Sequence, residues 1–198
     1  MRVVCFGDFG IDVRIGPDQA DTIIDFSPGF QFKAATFNLA DLLKATQRNL
    51  LELGRSCLHP DYRSGTGVFA LWSALADYVA EQGVEILFGV ASFHGTDPQA
   101  LAQPLSQLHH AHLAPDALRV RSQQFQRMDL LSSDQVDRVA AMKQTPALIK
   151  AYLRLGGTVG EGAFVDHAFN TVDICLILES DAIQGLQRTM LTSGIAHG

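Results

Sequence analysis

The clearest ordering of apolar and polar positions lies between residues 50 and 93. Leu50–Leu58 predicts a strand, with Leu51, Leu53, Arg55 and Cys57 on one face and Glu52, Gly54 and Ser56 on the other. His59–Thr66 is loop by composition, holding Pro60, Asp61, Ser64 and Gly65. Val68, Leu71, Trp72, Leu75 and Val79 then recur at helical spacing, and Gly83 is a natural stop. Val84–Phe93 is apolar enough to predict a strand buried on both faces. Strand, helix and strand make a βαβ unit, so the two strands are expected to be parallel with a right-handed crossover.

The pattern downstream predicts further elements. Asp97-Pro98 has the chemistry of a helix start, Asp as N-cap and Pro in the first turn. Leu101, Leu105 and Leu108 give that helix an apolar face, and Pro115 ends it. Leu118–Phe125 predicts a strand, Asp134–Lys143 and Pro146–Leu155 helices, and the glycine-rich stretch 156–162 a loop or turn. Ala163–Asp166 and Thr171–Leu178 predict strands, with Ile174, Leu176 and Leu178 alternating. Residues 1–30 are poorly patterned: Arg2–Phe6 suits a short strand, followed by a glycine-containing turn. Its Gly7-Asp8-Phe9-Gly10 lacks the G-x-G-x-x-G spacing of a dinucleotide loop.

Composition narrows the class. The chain has 198 residues, 47% of them hydrophobic, which suits one globular domain. A formal net charge of -6 argues against a nucleic-acid binder, though local basic patches remain open. Cys5, Cys57 and Cys175 stand far apart without CxxC spacing, so reduced thiols in a cytoplasmic protein are expected. No apolar run reaches the roughly 18–20 residues that span a bilayer, and no secretory leader pattern opens the chain. Any membrane contact is therefore expected to be peripheral, at the cytoplasmic face.

Several residues could carry chemistry. Arg63-Ser64-Gly65-Thr66-Gly67 leads from a strand into a helix N-terminus, where free N–H groups and the dipole favour a phosphate; an ordinary βα turn reads the same way. Glu52 within an apolar strand is either a surface carboxylate or a general base that deprotonates an ammonium. Arg55, three positions on, falls on the opposite face. His109, His110 and His112, with His94, lack the i, i+4 spacing of helical zinc pairs, so no metal is expected; the helix dipole accounts for histidines at a C-terminus. Arg119, Arg121, Arg127, Lys143, Lys150 and Arg154 suit either a solvated face or docking of an acidic carrier protein or anionic headgroups. Asp166, His167, Asn170 and Asp173 gather around the last strands, where Asp166 and Asp173 could receive a cationic substrate; a polar turn fits equally.

At these residues the chain resembles a known family, the bacterial L-ornithine Nα-acyltransferases. Four segments in order carry the resemblance: Glu52–Cys57 with Pro60–Arg63, Phe88–Pro98 (FGVASFHGTDP), Pro104–His110 (PLSQLHH) and Pro146–Asp173. It covers about residues 33–180, leaving 1–30 as an unmatched segment, atypical or truncated, ahead of the 31–198 domain. The resemblance implies a GNAT-like α/β fold, a mixed sheet with flanking helices whose two central parallel strands splay apart. It implies transfer of a 3-hydroxyacyl group from acyl carrier protein to the α-amino group of L-ornithine, forming lyso-ornithine lipid. No tightly bound cofactor is implied beyond the carrier's phosphopantetheine arm. Glu52 is then the base, directly or through water, and Arg63, Ser64, Gly65, Thr66 and Gly67 the pantetheine-phosphate loop. The backbone of Phe88, Gly89, Val90, Ala91 and Ser92 would hold the arm, and Arg55, Asp166 and Asp173 would bind the acceptor. The common GNAT turn would need glycine at 66 and 68, where Thr66 and Val68 stand; the ornithine family uses a shorter turn. The Glu-Leu-x-Arg element is also similar to one in acyl-homoserine lactone synthases, which leaves such a synthase as the alternative enzyme. A non-catalytic remnant that binds acyl carrier protein is the alternative outside catalysis.

Overall fold

Nine consecutive residues with no strong helix signal, Ile86–His94, form the strand on which the described fold is organised (β3). The computed structural model describes residues 37–38, 48–53 and 75–181. Their contacts gather into two units, one holding 48–53, 75–88 and 179–181, the other 37–38 and 89–178. In the first unit, β2 (Leu50–Glu52) lies parallel to the start of β3, pairing Leu50 with Ile86, Leu51 with Leu87 and Glu52 with Phe88. Leu53 N–H extends the ladder by donating to the Phe88 carbonyl at 2.7 Å. The predicted parallel pairing is therefore present, but the predicted division into two faces does not show in burial. All of 50–53 is buried, because a parallel strand is covered on both sides. Residues 54–58 of the predicted strand, the 59–66 loop and the helix before residue 75 lie outside the described residues.

Residues 75–81 are helical and turn Ala76 and Val79 inward. The stop falls at Gly83 as predicted. Its φ of +62° lets Val84 N–H reach back to the Val79 carbonyl (3.0 Å) and Gly83 N–H to Ala80 (3.4 Å), a Schellman cap. At the other end of this unit, Ser180 N–H donates to the Glu85 carbonyl, and Arg48 reaches both Glu85 and Glu179.

In the second unit, β3 does not stay buried on both faces. From Val90 its burial alternates, with Ala91 and Phe93 inside and Ser92 and His94 outside. Beyond it in hydrogen-bonded order come β7 (Thr171–Glu179) and β5 (Thr158–Val159), and β6 (Phe164–Asp166) also pairs with β7. β5 and β6 are both antiparallel to β7, in registers Val159–Leu176 and Phe164–Asp173. Parallel and antiparallel pairs with flanking helices give the expected mixed α/β sheet. A further two-stranded ladder joins β1 (Phe37–Asn38) to β4 (Arg121–Ser122).

Local chemistry moved several boundaries. Asp97 does not cap a helix: its Oδ1 accepts from Gln99 N–H (2.9 Å) in a turn, and α1 runs only over Ala102–His112. Asp134 is likewise too early, since Asp137 caps α2 (Arg138–Gln144) through Val139 and Ala140 N–H. The predicted 118–125 strand is reduced to β4, because Pro115 first sets a 3₁₀ turn at Asp116–Leu118. α3 (Ala147–Arg154) matches its prediction and ends on Gly156 at φ +83°. The glycine-rich loop that follows contains β5, so it is only in part a loop. α1 packs on α2 and β5, and Leu105, Leu108, Met128, Ala141, Ile149 and Ile174 form the heart of this unit's core. Among the described residues no helix is long and apolar enough to cross a membrane.

Candidate functional site

Glu52 is held by β2 at the register position of Phe88, with only 7% of its surface exposed. It is thus no edge-strand surface carboxylate, which was one of the two readings open from the sequence. Burial makes an unpartnered carboxylate expensive, and Glu52 does have an interaction partner. Phe88 and Gly89 are buried, Val90 half-buried, Ala91 buried and Ser92 exposed. The structure therefore brings Glu52 together with Phe88. Arg55 and the Arg63–Gly67 loop lie outside the described residues.

The two acidic residues proposed for the acceptor sit on one hairpin. Asp166 pairs with Thr171 and Phe164 with Asp173. Directly opposed residues of an antiparallel pair share a face, as do alternate residues of one strand, so Phe164, Asp166, Thr171 and Asp173 lie on a single side. Their environments differ. Asp166 Oδ1 accepts from Ala168 N–H (2.9 Å) and Phe169 N–H (3.1 Å), closing the turn with Asn170 at φ +55°. Asp173 is 5% exposed, and its Oδ1 is buried with no hydrogen-bond donor among the described residues. Sequence reasoning named both acids but could not separate the turn-former from the unsatisfied one.

The cations also divide. Arg119 pairs with Asp116 at 2.8 Å, Arg127 with Asp129 at 3.0 Å, and Arg121 lies 3.7 Å from Glu161 with its guanidinium over the Phe125 ring. Arg138, Lys143, Lys150 and Arg154, on α2 and α3, make no ion pair among the described residues. From Arg138 to Gly160 the chain has these four cations and no acidic residue.

Comparison with known proteins now bears on this geometry. Residues 12–73 match the model of the acetyltransferase (GNAT) domain, and β2 with Glu52 lies within that match. A Rhodobacter capsulatus protein named L-ornithine N(alpha)-acyltransferase is 60% identical over 150 residues, 76% of this chain and 58% of the relative. Proteins of the same name from Brucella abortus and Rhizobium meliloti are 43% identical over 145 residues and 37% identical over 157. These cover 71% and 78% of this chain, and 52% and 53% of the relatives. The chain is thus similar to proteins named L-ornithine N(alpha)-acyltransferase, and its residues 12–73 are similar to the acetyltransferase (GNAT) domain. It spans about half the length of the curated relatives it matches. No solved structure matches.

The Pro104–His110 segment has a structural role that periodicity did not reveal. Ser106, fully buried on α1, donates to the Met128 carbonyl (3.1 Å) and accepts from Leu130 and Leu131 N–H (3.0 and 2.9 Å). His110 Nε2 lies 2.8 Å from the Leu131 carbonyl. The segment therefore clamps the 128–131 stretch onto α1. No cluster of His, Cys, Asp and Glu suited to a metal occurs among the described residues. His109, His110 and His112 stand in the last turn of α1, and burial pushes the His112 imidazole pKa down. Burial pushes the Tyr152 phenol, on α3, up to about 12.

Proposed function

We propose that this chain provides the acyl-transfer part of an N-acyltransferase that moves a 3-hydroxyacyl group from acyl carrier protein to the α-amino group of L-ornithine, giving lyso-ornithine lipid. The observation that carries the reading is the 60% identity over 150 residues to a protein named for ornithine acylation. The buried Glu52 supports it chemically. Its carboxylate takes a proton from the α-ammonium, directly or through one water, and frees the amine lone pair. The amine attacks the thioester carbonyl, the C–N bond forms and the C–S bond breaks, and the proton that the nitrogen gives up on becoming an amide neutralises the departing thiolate. Backbone N–H groups along Phe88–Ser92 hold the phosphopantetheine arm and polarise the carbonyl. Arg63–Gly67 takes the arm's phosphate, and Arg55 helps hold the acceptor. No tightly bound cofactor is needed for these steps.

The donor is an acidic carrier, and the unpaired cations of α2 and α3 suit its docking. The same cations suit anionic headgroups at the cytoplasmic membrane face, a peripheral contact for the lipid product. Incubation with 3-hydroxyacyl carrier protein and ornithine should release free carrier thiol. Absence of release by the folded protein refutes the reading. Release with S-adenosylmethionine in place of ornithine would favour the lactone-synthase alternative. Carrier binding without release, unchanged in Glu52→Gln, would favour the non-catalytic one.

A further inference from the structure

The cations of α2 and α3 stand in a stretch bounded by two acids that are already engaged. Asp137 caps α2 by accepting from Val139 and Ala140 N–H, and Glu161 lies beside Arg121. Both helices turn their cations away from the core. On α2, Val139 and Lys143 are one turn apart, exposed, and opposite the buried Ala141. On α3, Lys150 and Arg154 are one turn apart and stand away from the buried Ile149 and Tyr152. No hydrogen bond or ion pair among the described residues fixes the side chain of Arg138, Lys143, Lys150 or Arg154. Two large apolar side chains accompany them, Val139 at 79% exposure and Leu148 at 45%. Either feature alone is ordinary on a protein surface. Their combination on two consecutive helices selects the partner.

An acidic protein presents a few carboxylates at fixed places, and cations that read them are held in position. These four are not held. A lipid surface offers anionic phosphates throughout one layer and an apolar layer just beneath. It therefore takes unheld cations and aliphatic side chains together. We infer that α2 and α3 form a docking surface for an anionic phospholipid membrane. Val139 and Leu148 enter the headgroup layer, and the four cations meet its phosphates over their flexible stems. The inference deepens the acyltransferase reading above and rests on it for its purpose. It gives this face to lipid and places the carrier elsewhere.

The test sediments the full chain with vesicles of phosphatidylcholine alone, or of phosphatidylcholine and phosphatidylglycerol in equal parts. The chain should bind the mixed vesicles only, and leave them at about 1 M salt, where charges are screened beyond about 3 Å. Each cation near an anionic surface strengthens binding about fivefold, so Lys143→Gln with Lys150→Gln should weaken it about 25-fold. Val139→Ser with Leu148→Ser should weaken it about tenfold at unchanged charge. Equal binding to the two kinds of vesicle, or binding to neither, overturns the inference. So does undiminished binding when Val139 and Leu148 are both replaced, since lipid would then not be entered. If the lysine substitutions weaken binding of acyl carrier protein and leave vesicle binding unchanged, the face belongs to the protein partner and the inference falls. Thermal melting checks that the variants fold, and the lipid and salt dependence of the unaltered chain decides without them. Sedimentation needs no turnover. Vesicle binding without carrier-thiol release counts against the acyltransferase reading alone, and release without vesicle binding against this inference alone.

Discussion

Ser106→Ala is a sharp test of how the second unit is held together. The hydroxyl is fully buried and makes three hydrogen bonds, one donated to Met128 and two accepted from Leu130 and Leu131. Met128 is itself buried, so its carbonyl loses a partner where water enters poorly, at about 1–2 kcal/mol. Leu130 and Leu131 are half-buried, and their N–H groups regain some hydration, at about 0.5–1 kcal/mol each. The sum is about 2–4 kcal/mol. With a urea dependence of about 2 kcal/mol/M, the unfolding midpoint should drop by roughly 1–2 M. Ser132→Ala is the control. Its hydroxyl bonds Gln135 at an exposed position, and its loss should change stability by less than about 0.5 kcal/mol. Urea titrations followed by circular dichroism read both. If Ser106→Ala unfolds at the same urea concentration as Ser132→Ala, the clamp does not carry the stability assigned to it.

Other consequences follow from close approaches and titration. A Cβ on Gly160 would stand 2.7 Å from the Val120 carbonyl and 3.2 Å from Cys175 Cβ, so Gly160→Ala should cost about 1–3 kcal/mol, measured by thermal melting; no loss would mean the strand shifts freely. Burial lowers the His112 pKa, so the unfolded chain binds that proton first. Stability owed to this group is complete above the unfolded value near 6.5 and is lost as pH falls through the lower folded value. His112→Gln should flatten the acid limb of a stability–pH profile, and an unchanged limb would count against it.

The sequence revealed more of the strand order than of its boundaries. The apolar run of Val84–Phe93 and the alternation of Thr171–Leu178 exposed β3 and β7 because long strands impose their period on many residues. Helix starts were misplaced at Asp97 and Asp134 because an aspartate before a polar stretch serves a turn as well as a cap, and only tertiary packing chooses. β5 was missed among glycines whose pairing comes from Leu176 and Ile177, far along the chain. For the candidate site, Glu52 was legible as an anomaly of pattern, while its burial was not. Asp166 and Asp173 were legible as a pair, but their different hydrogen bonding depends on the hairpin register. The clamp role of Ser106 had no periodic signal, since its partners lie 22–25 residues away.

The most direct measurement is carrier-thiol release by the full chain, with 3-hydroxyacyl carrier protein as donor and L-ornithine as acceptor, alongside Glu52→Gln. Ornithine-dependent release is expected in the unaltered chain, reduced about 10²–10⁴-fold by the substitution with folding intact. Release without dependence on ornithine, or release that Glu52→Gln leaves unaltered, would contradict Glu52-assisted acylation of ornithine.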